Sequence, residues 1–461
     1  MVEYRCIINK VYLSDFLQYC TVTLFLFLVN VIEIIRMKRL ILSILLLSGT
    51  LLMYSQQRDL NFYLEKAKMT SPLIQKNKND TKIIDLDLQQ TERILKNPEI
   101  NLESNVLFAP IINHSSNHLD ITSAGADNYS GYDLGITNGG QYQAFVSVKQ
   151  PLLGKMNYKA YSEKSEIARK QNENSTSMTI HEMEQLVAYQ YILCLKSKAQ
   201  LKNAVTVHKQ LNEQLGIMKK LVDNAIYKQS DLMLLQIEKQ NLELSNKSFE
   251  DDYKSNVYDL NLLCGIEDSA LVDIQELDLQ LKPQAFTSSQ FLASYKLDSL
   301  GIIADLSISE LKYKPQLSAF ANAGLNAVNI PAFNRLGFSA GLTFSLNLYD
   351  GNQRKLEKEK STVNINTLQF EKNHFITQQQ INKDKIKSQL KSLDERGTIL
   401  ENQLLQYEKL YKVYENELSQ GLVSVMDFKN LLKDITAKRQ DFLLQKMEKQ
   451  LLVNSYNYWN Y

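Results

Sequence analysis

Helix-breaking residues are scarce in this chain, which has only 16 glycines and 7 prolines among 461 residues. Proline breaks a helix interior and glycine weakens it, so their scarcity favours long uninterrupted helices. An excess of one charge is also lacking, because 52 lysines and arginines stand against 51 aspartates and glutamates, a net charge of +1. That balance argues against a general attraction to nucleic acid, which would require a basic excess.

Motifs of catalysis and metal binding are lacking as well. The four cysteines form no C-x-x-C pair, so neither a disulfide framework nor a zinc site is predicted. No G-x-S-x-G, phosphate-loop or H-E-x-x-H sequence occurs. His114 and His118 are spaced four apart, but the asparagines and serines around them indicate a solvated loop rather than a metal site. We therefore predict neither an enzyme nor a bound cofactor.

The N-terminal 55 residues contain two apolar runs. The second run, residues 40–53, follows a basic pair and precedes a small residue, Ser55, an arrangement typical of a secretory signal. We expect residues 37–55 to be a signal peptide and residues 1–36 to be a non-native upstream extension. A membrane anchor over residues 21–53 is the alternative. Beyond residue 56 no stretch approaches the roughly 20 apolar residues of a membrane helix, so strands would make any later membrane contact.

The rest of the chain is an internal duplication with an offset of about 196 residues. Asp427 follows Asp231 by 196 residues, and Gly421 follows Ala225 by the same interval. Two repeats, residues 56–265 and 266–461, are each predicted to hold two strands and one long helical hairpin. The predicted strands span about residues 99–108 and 141–150, then 315–325 and 337–348, and the hairpin tips span residues 225–231 and 421–427. An insertion of about twenty residues, rich in Asn, Ser and Gly, separates the first two strands and is predicted to be a surface loop.

Each predicted strand alternates apolar and polar residues. In the last strand Phe338, Ala340 and Leu342 share one face, whereas Ser339 and Gly341 share the other. Runs of about ten residues with this pattern are typical of a membrane barrel strand, with lipid on one side and water on the other. A half-buried sheet of a soluble domain alternates in the same way, so the pattern alone leaves both interpretations open.

The predicted hairpins carry heptad stripes of apolar residues, which are typical of coiled-coil packing between helices. One stripe runs through Leu390, Leu393, Leu400, Leu404, Tyr407, Tyr411, Tyr414 and Leu418. A continuous helix from Met156 to Ile226 would be roughly 105 Å long at 1.5 Å per residue. That length suits a protein that spans a compartment.

Three local sequences, in this order and spacing, resemble motifs of the TolC-type outer-membrane efflux proteins. The segment from Leu260 to Gly265 is similar to the L-x-x-L-x-G that closes a helical pair, and the segment from Asn347 to Arg354 is similar to the apolar-D-G-x-x-R exit from the last strand. The tip from Gly421 to Phe428 is similar to G-x-x-S-x-x-D followed by an apolar residue. The resemblance runs from about residue 60 to residue 461. The first tip departs from it, because alanine stands where the glycine is expected.

The resemblance implies a mainly α fold with a small transmembrane β part. Four strands of each protomer would contribute to a 12-stranded trimeric barrel in the outer membrane, continued by an α-helical tube in the periplasm. The implied function is the exit channel of a tripartite efflux or type I secretion system. Its expected partners are two further copies of the chain, outer-membrane lipid, a periplasmic adaptor and an inner-membrane pump. A secreted coiled-coil structural or adaptor protein is the alternative, but it does not explain two strand pairs at matching positions.

The resemblance also implies two roles for the hairpin tips. A periplasmic gate is expected there, with the candidates Asp427, Asn430 and Asp231, because a ring of carboxylates would hold cations. The alternative for both aspartates is a helix cap. The adaptor would contact the tips, and the candidates are Gly421, Leu422, Val423, Ser424, Ala225, Ile226 and Ser230. A turn between two helices needs such residues in any case, and the cargo is not predicted.

Overall fold

A computed structural model describes residues 58–109, 111–113, 120–122, 129–130, 139–268, 272–283, 289–328 and 336–461. The expected signal peptide, the upstream extension and the two loop histidines, His114 and His118, lie outside the described residues. The contacts divide the chain into two units. In the first unit, Arg58 and Ile274 pair as a parallel bridge. The second unit, which spans residues 60–271 and 276–461, holds every helix and strand considered below.

Helices dominate the second unit. The helices, in chain order, are α1 (Leu60–Thr70), α2 (Pro72–Lys96), α3 (Gly154–Asp223), α4 (Gln229–Leu263), α5 (Gln290–Ser309), α6 (Gln353–Ser419) and α7 (Val425–Trp459). α3 has 70 residues and α6 has 67, whereas the returning helices α4 and α7 have 35 each. At 1.5 Å per residue, α3 is about 105 Å long. Within the described residues, none of the helices combines the length and the apolar character needed to cross a bilayer.

Two sheets lie between these helices in sequence. The strands are β1 (Glu99–Ala109), β2 (Ile111–Asn113), β3 (Asp120–Thr122), β4 (Tyr129–Ser130), β5 (Gly139–Pro151), β6 (Gln316–Val328) and β7 (Leu336–Ser345). The larger sheet has the order β1-β5-β6-β7 and is antiparallel throughout. The predicted fold class, a duplicated strand pair with a long helical hairpin, is therefore confirmed for the single chain.

The structure differs from the sequence prediction at two places in the strands. The insertion in the first repeat, predicted to be a loop, contains a small sheet of the order β3-β2-β4. Its strands have only two or three residues, too few for a periodic signal. β7 ends at Ser345, although the alternation continues to Leu348. Ser345 pairs with Gln316, and the residue before Gln316 is Pro315, which has no N–H for a further ladder bond.

The main core near the tips joins all four long helices. α3 contributes Val207, Leu211 and Met218, α4 contributes Leu232 and Leu235, α6 contributes Tyr411 and Leu418, and α7 contributes Val425, Phe428, Leu431, Leu432 and Ile435. Each of these side chains is at most 8% exposed. Their burial packs the two hairpins against each other, so the tips of both repeats are held at one end of a shared core.

Two amide side chains of α7 and that of Asn460, which directly follows the helix, hold an extended segment, residues 276–283. Leu279 N–H donates to Gln450 Oε1 at 2.7 Å, and Lys282 N–H donates to Asn457 Oδ1 at 2.8 Å. Asn460 Nδ2 donates to the carbonyl of Pro283 at 2.8 Å. These contacts satisfy backbone groups of a segment that belongs to neither a helix nor a sheet, and so fix it against α7.

An aromatic cluster surrounds the buried His181 of α3. The imidazole stacks on the ring of Tyr461 with 3.7 Å between centroids, and Phe291 approaches its edge. His181 Nε2–H donates to the carbonyl of Tyr458 at 2.9 Å. Burial lowers the pKa of His181 below its ordinary value, since a charged imidazole would lose its hydration there.

The lowered pKa of His181 predicts a loss of stability in acid. The unfolded chain takes up a proton on this residue near pH ~6.5 while the folded chain resists it, so stability falls as the pH drops below that value. A His181→Gln variant keeps a donor for the carbonyl of Tyr458 but cannot titrate in this range. We expect its melting temperature to fall less than that of the parent between about pH 7.5 and 5.5. Equal falls in both proteins would contradict this interpretation.

Candidate functional site: strand faces and helical tips

The register of the four-stranded sheet brings the apolar residues of all strands to one face. Val148 of β5 pairs with Ile100 of β1 on one side and with Ala321 of β6 on the other, and Ala321 pairs with Ala340 of β7. Large apolar side chains of this face are open, with Leu102 81% and Phe338 77% exposed. An apolar patch that crosses four strands is uncommon on a water-exposed surface and indicates contact with a partner or with lipid. We call these residues the apolar face.

The opposite face of the same sheet is mainly polar. Its members include Asn101, Glu103, Gln143, Ser147, Lys149, Asn322, Ser339 and Thr343. The ring of Phe320 on this face lies over Gly341, where an added Cβ would stand 2.8 Å from the ring atom Cζ. The polar face therefore combines polar and charged groups with the aromatic ring of Phe320, which lies over Gly341.

The edges of this sheet are β1 and β7. Each is hydrogen-bonded to one neighbour, β1 to β5 and β7 to β6, and no strand in the described part of the chain pairs with their outer sides. A strand of ten residues or so with an open edge is a template for pairing with another chain.

A cluster of polar side chains fixes the passage from β7 to α6. Asp350 Oδ2 accepts the backbone N–H of Arg354 at 2.8 Å and also the hydroxyl of Tyr313. Gly351 and Asn352 take positive φ angles of 69° and 67°, which turn the chain into the helix. The hydrogen bond from Tyr313 lowers the pKa of the Asp350 carboxyl below its ordinary value. This contact gives a physical reason for the D-G-x-x-R sequence.

A second contact ties the start of α6 to Glu310, the residue that directly follows α5. Arg354 Nε donates to both carboxylate oxygens of Glu310, at 3.1 and 3.0 Å, and Lys358 Nζ lies 3.3 Å from the same carboxylate. Arg354 and Lys358 lower the pKa of the Glu310 carboxyl. Glu310 and Tyr313 were not singled out from the sequence, because their partners lie about forty residues away and no local pattern links them.

The two hairpin tips have the same backbone geometry. The N–H of Ile226 donates to the carbonyl of Leu221 at 2.9 Å, and 196 residues later the N–H of Leu422 donates to Glu417 at the same distance. This six-residue closure requires a left-handed residue before its last position. Gly421 fills it in the second tip with φ 74°, and Ala225 fills it in the first with φ 58°.

The two tips touch each other. The hydroxyl of Tyr227 in the first tip donates to the carbonyl of Val423 in the second at 2.7 Å. A Cβ added to Gly421 would lie 2.7 Å from Cγ2 of Ile226, so the glycine also permits this approach. Tyr227 was missed in the sequence, where nothing in the first tip distinguishes it from a surface residue.

The three gate candidates lie at the tips in different environments. Asp231 Oδ2 accepts the backbone N–H of Lys228 at 3.1 Å at the start of α4. At the start of α7 a different bond caps the helix, because Ser424 Oγ accepts the N–H of Met426 at 3.2 Å. Asp427 and Asn430 are exposed in the first turns of α7. Asp427 therefore lies where the helix dipole favours a negative charge, and its side chain is exposed to solvent.

Most adaptor-contact candidates are exposed. Leu422 is 72% and Ile226 51% exposed, and Gly421, Ser424, Ala225 and Ser230 are exposed as well. Val423 differs, because it packs partly buried against the tip core. Met426, 45% exposed, adds an apolar side chain that the sequence motif did not single out. The tips therefore present a small apolar surface at the end of the paired hairpins.

Comparisons with known proteins identify similar folds but no close relative in sequence. No family model matches the chain, and no curated protein matches its sequence. Among solved structures, CusC is 11% identical with a TM-score of 0.66, covering 88% of this chain and 92% of that chain. The outer-membrane protein VceC of Vibrio cholerae is 12% identical with a TM-score of 0.63, covering 87% and 95%. The CmeC outer-membrane channel of Campylobacter jejuni is 9% identical with a TM-score of 0.61, covering 87% and 85%.

These structures are outer-membrane channel proteins, and this chain has their fold over nearly its whole described length. The expected resemblance to TolC-type outer-membrane factors is thereby confirmed at the level of the fold.

The tip geometry predicts opposite effects for two matched substitutions. Ala225→Gly should stabilise the protein by about 1 kcal/mol, because a left-handed conformation costs an L side chain roughly that much. Gly421→Ala should destabilise it by at least about 1 kcal/mol, since the new Cβ would meet both this strain and Ile226. The check is the melting temperature of each purified variant. A lowered melting temperature for Ala225→Gly would contradict the assigned geometry.

Proposed function

We propose that this protein is the outer-membrane exit channel of a tripartite efflux or type I secretion system, and that it acts as a passive conduit. The observation that carries the proposal is the sheet with an exposed apolar face, a polar face and two open edges, attached to helices about 105 Å long. A lipid bilayer accounts for the apolar face and a water-filled lumen accounts for the polar one. The helices would reach into the periplasm.

The open sheet edges support a homotrimer. In lipid, each unpaired backbone group costs several kcal/mol, so a transmembrane sheet has to close on itself. Four strands are too few for a closed barrel, whereas three copies would supply twelve strands and pair every edge, β1 of one protomer against β7 of the next. The helices of three protomers would then form the tube below the barrel.

The tips support the remaining parts of the proposal. Three copies of the exposed Asp427 would form a carboxylate ring that attracts cations at the periplasmic entrance, with Asn430 one turn further along α7. Leu422, Ile226 and Met426 would offer apolar contacts to a periplasmic adaptor, which would hand over the cargo of an inner-membrane pump. Asp231, which already caps α4, would contribute less to the ring.

Two neighbouring residues of β7 test the membrane orientation of the sheet. Ala340 lies on the apolar face and pairs with Ala321, and Ser339 lies on the polar face and pairs with Asn322. Ala340→Arg should cost about 2–4 kcal/mol if the residue is near the bilayer centre, whereas Ser339→Arg should be tolerated in the lumen. Folded protein in the outer-membrane fraction is the measurement, and we expect a loss for Ala340→Arg alone. Equal recovery of both variants, or a loss for Ser339→Arg alone, would contradict the orientation.

The carboxylate ring is tested by ion selectivity. Asp427→Asn removes one negative charge per protomer from the tip, so the preference for cations over anions should fall in a planar bilayer recording. Asp434→Asn, which removes the same charge from an exposed position two turns further along α7, is the matched control and should leave the reversal potential unchanged. Identical reversal potentials for the parent and Asp427→Asn would rule out the gate role.

A further inference from the structure

A groove crosses the helices between two hydrogen bonds that join α3 to α7. At the end of the groove farther from the hairpin tips, Asn454 Nδ2 donates to the carbonyl of Gln185 at 2.9 Å. At the end nearer the tips, Arg439 Nη1 donates to Gln210 Oε1 at 3.2 Å. Between these two contacts the helices leave a cavity of about 510 Å³. This volume lies in the range of about 300–1,000 Å³ that is typical of small-molecule sites.

The floor of this groove is apolar. It is lined by Leu195 and Ala199 of α3, Phe442, Leu443 and Met447 of α7, and Leu404 of α6. These residues come from regular helices, whose backbone groups are already hydrogen-bonded within the helix. These residues offer apolar contact without free backbone donors or acceptors, and Leu277 of the extended segment 276–283 adds a further apolar side chain, a lining that suits an alkyl chain.

The rim of the groove is basic. Lys198 and Lys202 of α3 and Lys446 of α7 stand on it, with Glu276 as the opposing carboxylate. Arg439 is neutralised by Glu408, whose Oε1 lies 3.3 Å from its Nη2. Lys202 and Lys446 are exposed and form no ion pair with the residues that the structure describes. The rim therefore carries an excess of positive charge next to an apolar floor.

The duplicated helix α4 lacks this combination. α4 and α7 have equal length and begin 196 residues apart, so each groove position on α7 has a counterpart on α4. The counterparts of Phe442, Leu443, Lys446 and Met447 are Asn246, Lys247, Glu250 and Asp251. The apolar and basic character is thus particular to the second repeat and is not a consequence of the heptad pattern that both repeats share.

We propose that this groove binds a long-chain fatty acid, with the acyl chain on the apolar floor and the carboxylate between Lys202 and Lys446. The site lies on the α3 segment from Leu195 to Thr206, which extends about 16 Å along the helix. The two lysines would bind the anionic carboxylate, and the apolar floor would bury the acyl chain.

The test uses the full-length protein in lipid nanodiscs and the fluorescent fatty acid cis-parinaric acid. The chain has a single tryptophan, Trp459, twelve residues beyond Met447 on α7 and so about 18 Å further along the helix. Energy transfer from Trp459 to the bound polyene reports occupancy near the groove. We expect saturable quenching, and much weaker quenching by the methyl ester of the same acid, which lacks the charge.

Matched variants separate the groove from general adsorption. Lys202→Glu combined with Lys446→Glu should weaken binding at least ten-fold. Ala199→Phe, which adds no second tryptophan, should fill the floor and abolish the saturable quenching. Lys209→Glu combined with Lys433→Glu makes the same charge change at exposed positions of α3 and α7 outside the groove and should leave the affinity unchanged. Absence of saturable quenching, or equal weakening in both double variants, would overturn the proposal. Because channel activity is not measured, this outcome is independent of the proposed export function.

Discussion

The unpaired backbone groups along the outer sides of β1 and β7 are the constraint on which the other features of this structure depend. Among the described residues of one chain, the four antiparallel strands pair with each other, and no further strand pairs with the two outer edges. In water such edges invite unwanted pairing, and in lipid each unpaired backbone group costs several kcal/mol. The proposed association with two further copies of the same chain would resolve both problems, since it would pair the edges and leave only the apolar face towards lipid.

The helices follow from the same arrangement. Each strand pair continues into one long hairpin, and the polar cluster around Asp350 and Arg354 fixes the direction in which α6 leaves β7. At the far end, the core under the tips joins the two hairpins, and Tyr227 bonds one tip to the other. The duplication thus yields two similar helical hairpins that pack against each other near their tips. Any movement of the tips therefore has to displace both hairpins together or break the hydrogen bond between Tyr227 and Val423.

The sequence predicted those features of the fold that depend on a regular local pattern or on the repeat offset. Alternation in β7 assigned Ala340 and Ser339 to opposite faces, and the register places them there. The 196-residue offset located both tips, because a helix reversal needs a left-handed residue at a fixed place, here Ala225 and Gly421. Contacts between residues that are far apart in the sequence could not be predicted from local patterns. Glu310 and Tyr227 are ordinary surface residues in the sequence and acquire their roles only when the chain brings Arg354 and Val423 to them.

The candidate site was predictable to a smaller extent than the fold. Sequence reasoning found the tip residues and favoured a cap role for Asp231 more than for Asp427. In the structure Asp231 accepts the N–H of Lys228, whereas at the start of α7 Ser424 accepts the N–H of Met426. Phe442 and Met447 of α7, which line the groove, were not singled out from the sequence.

The central claim is that the sheet closes only when three copies of the chain combine. Native mass spectrometry of the particle extracted from the outer membrane tests it most directly. We expect one species with the mass of three chains, which dissociates to unfolded monomers rather than to a folded single chain. A stable folded monomer or dimer in the same extract would contradict it.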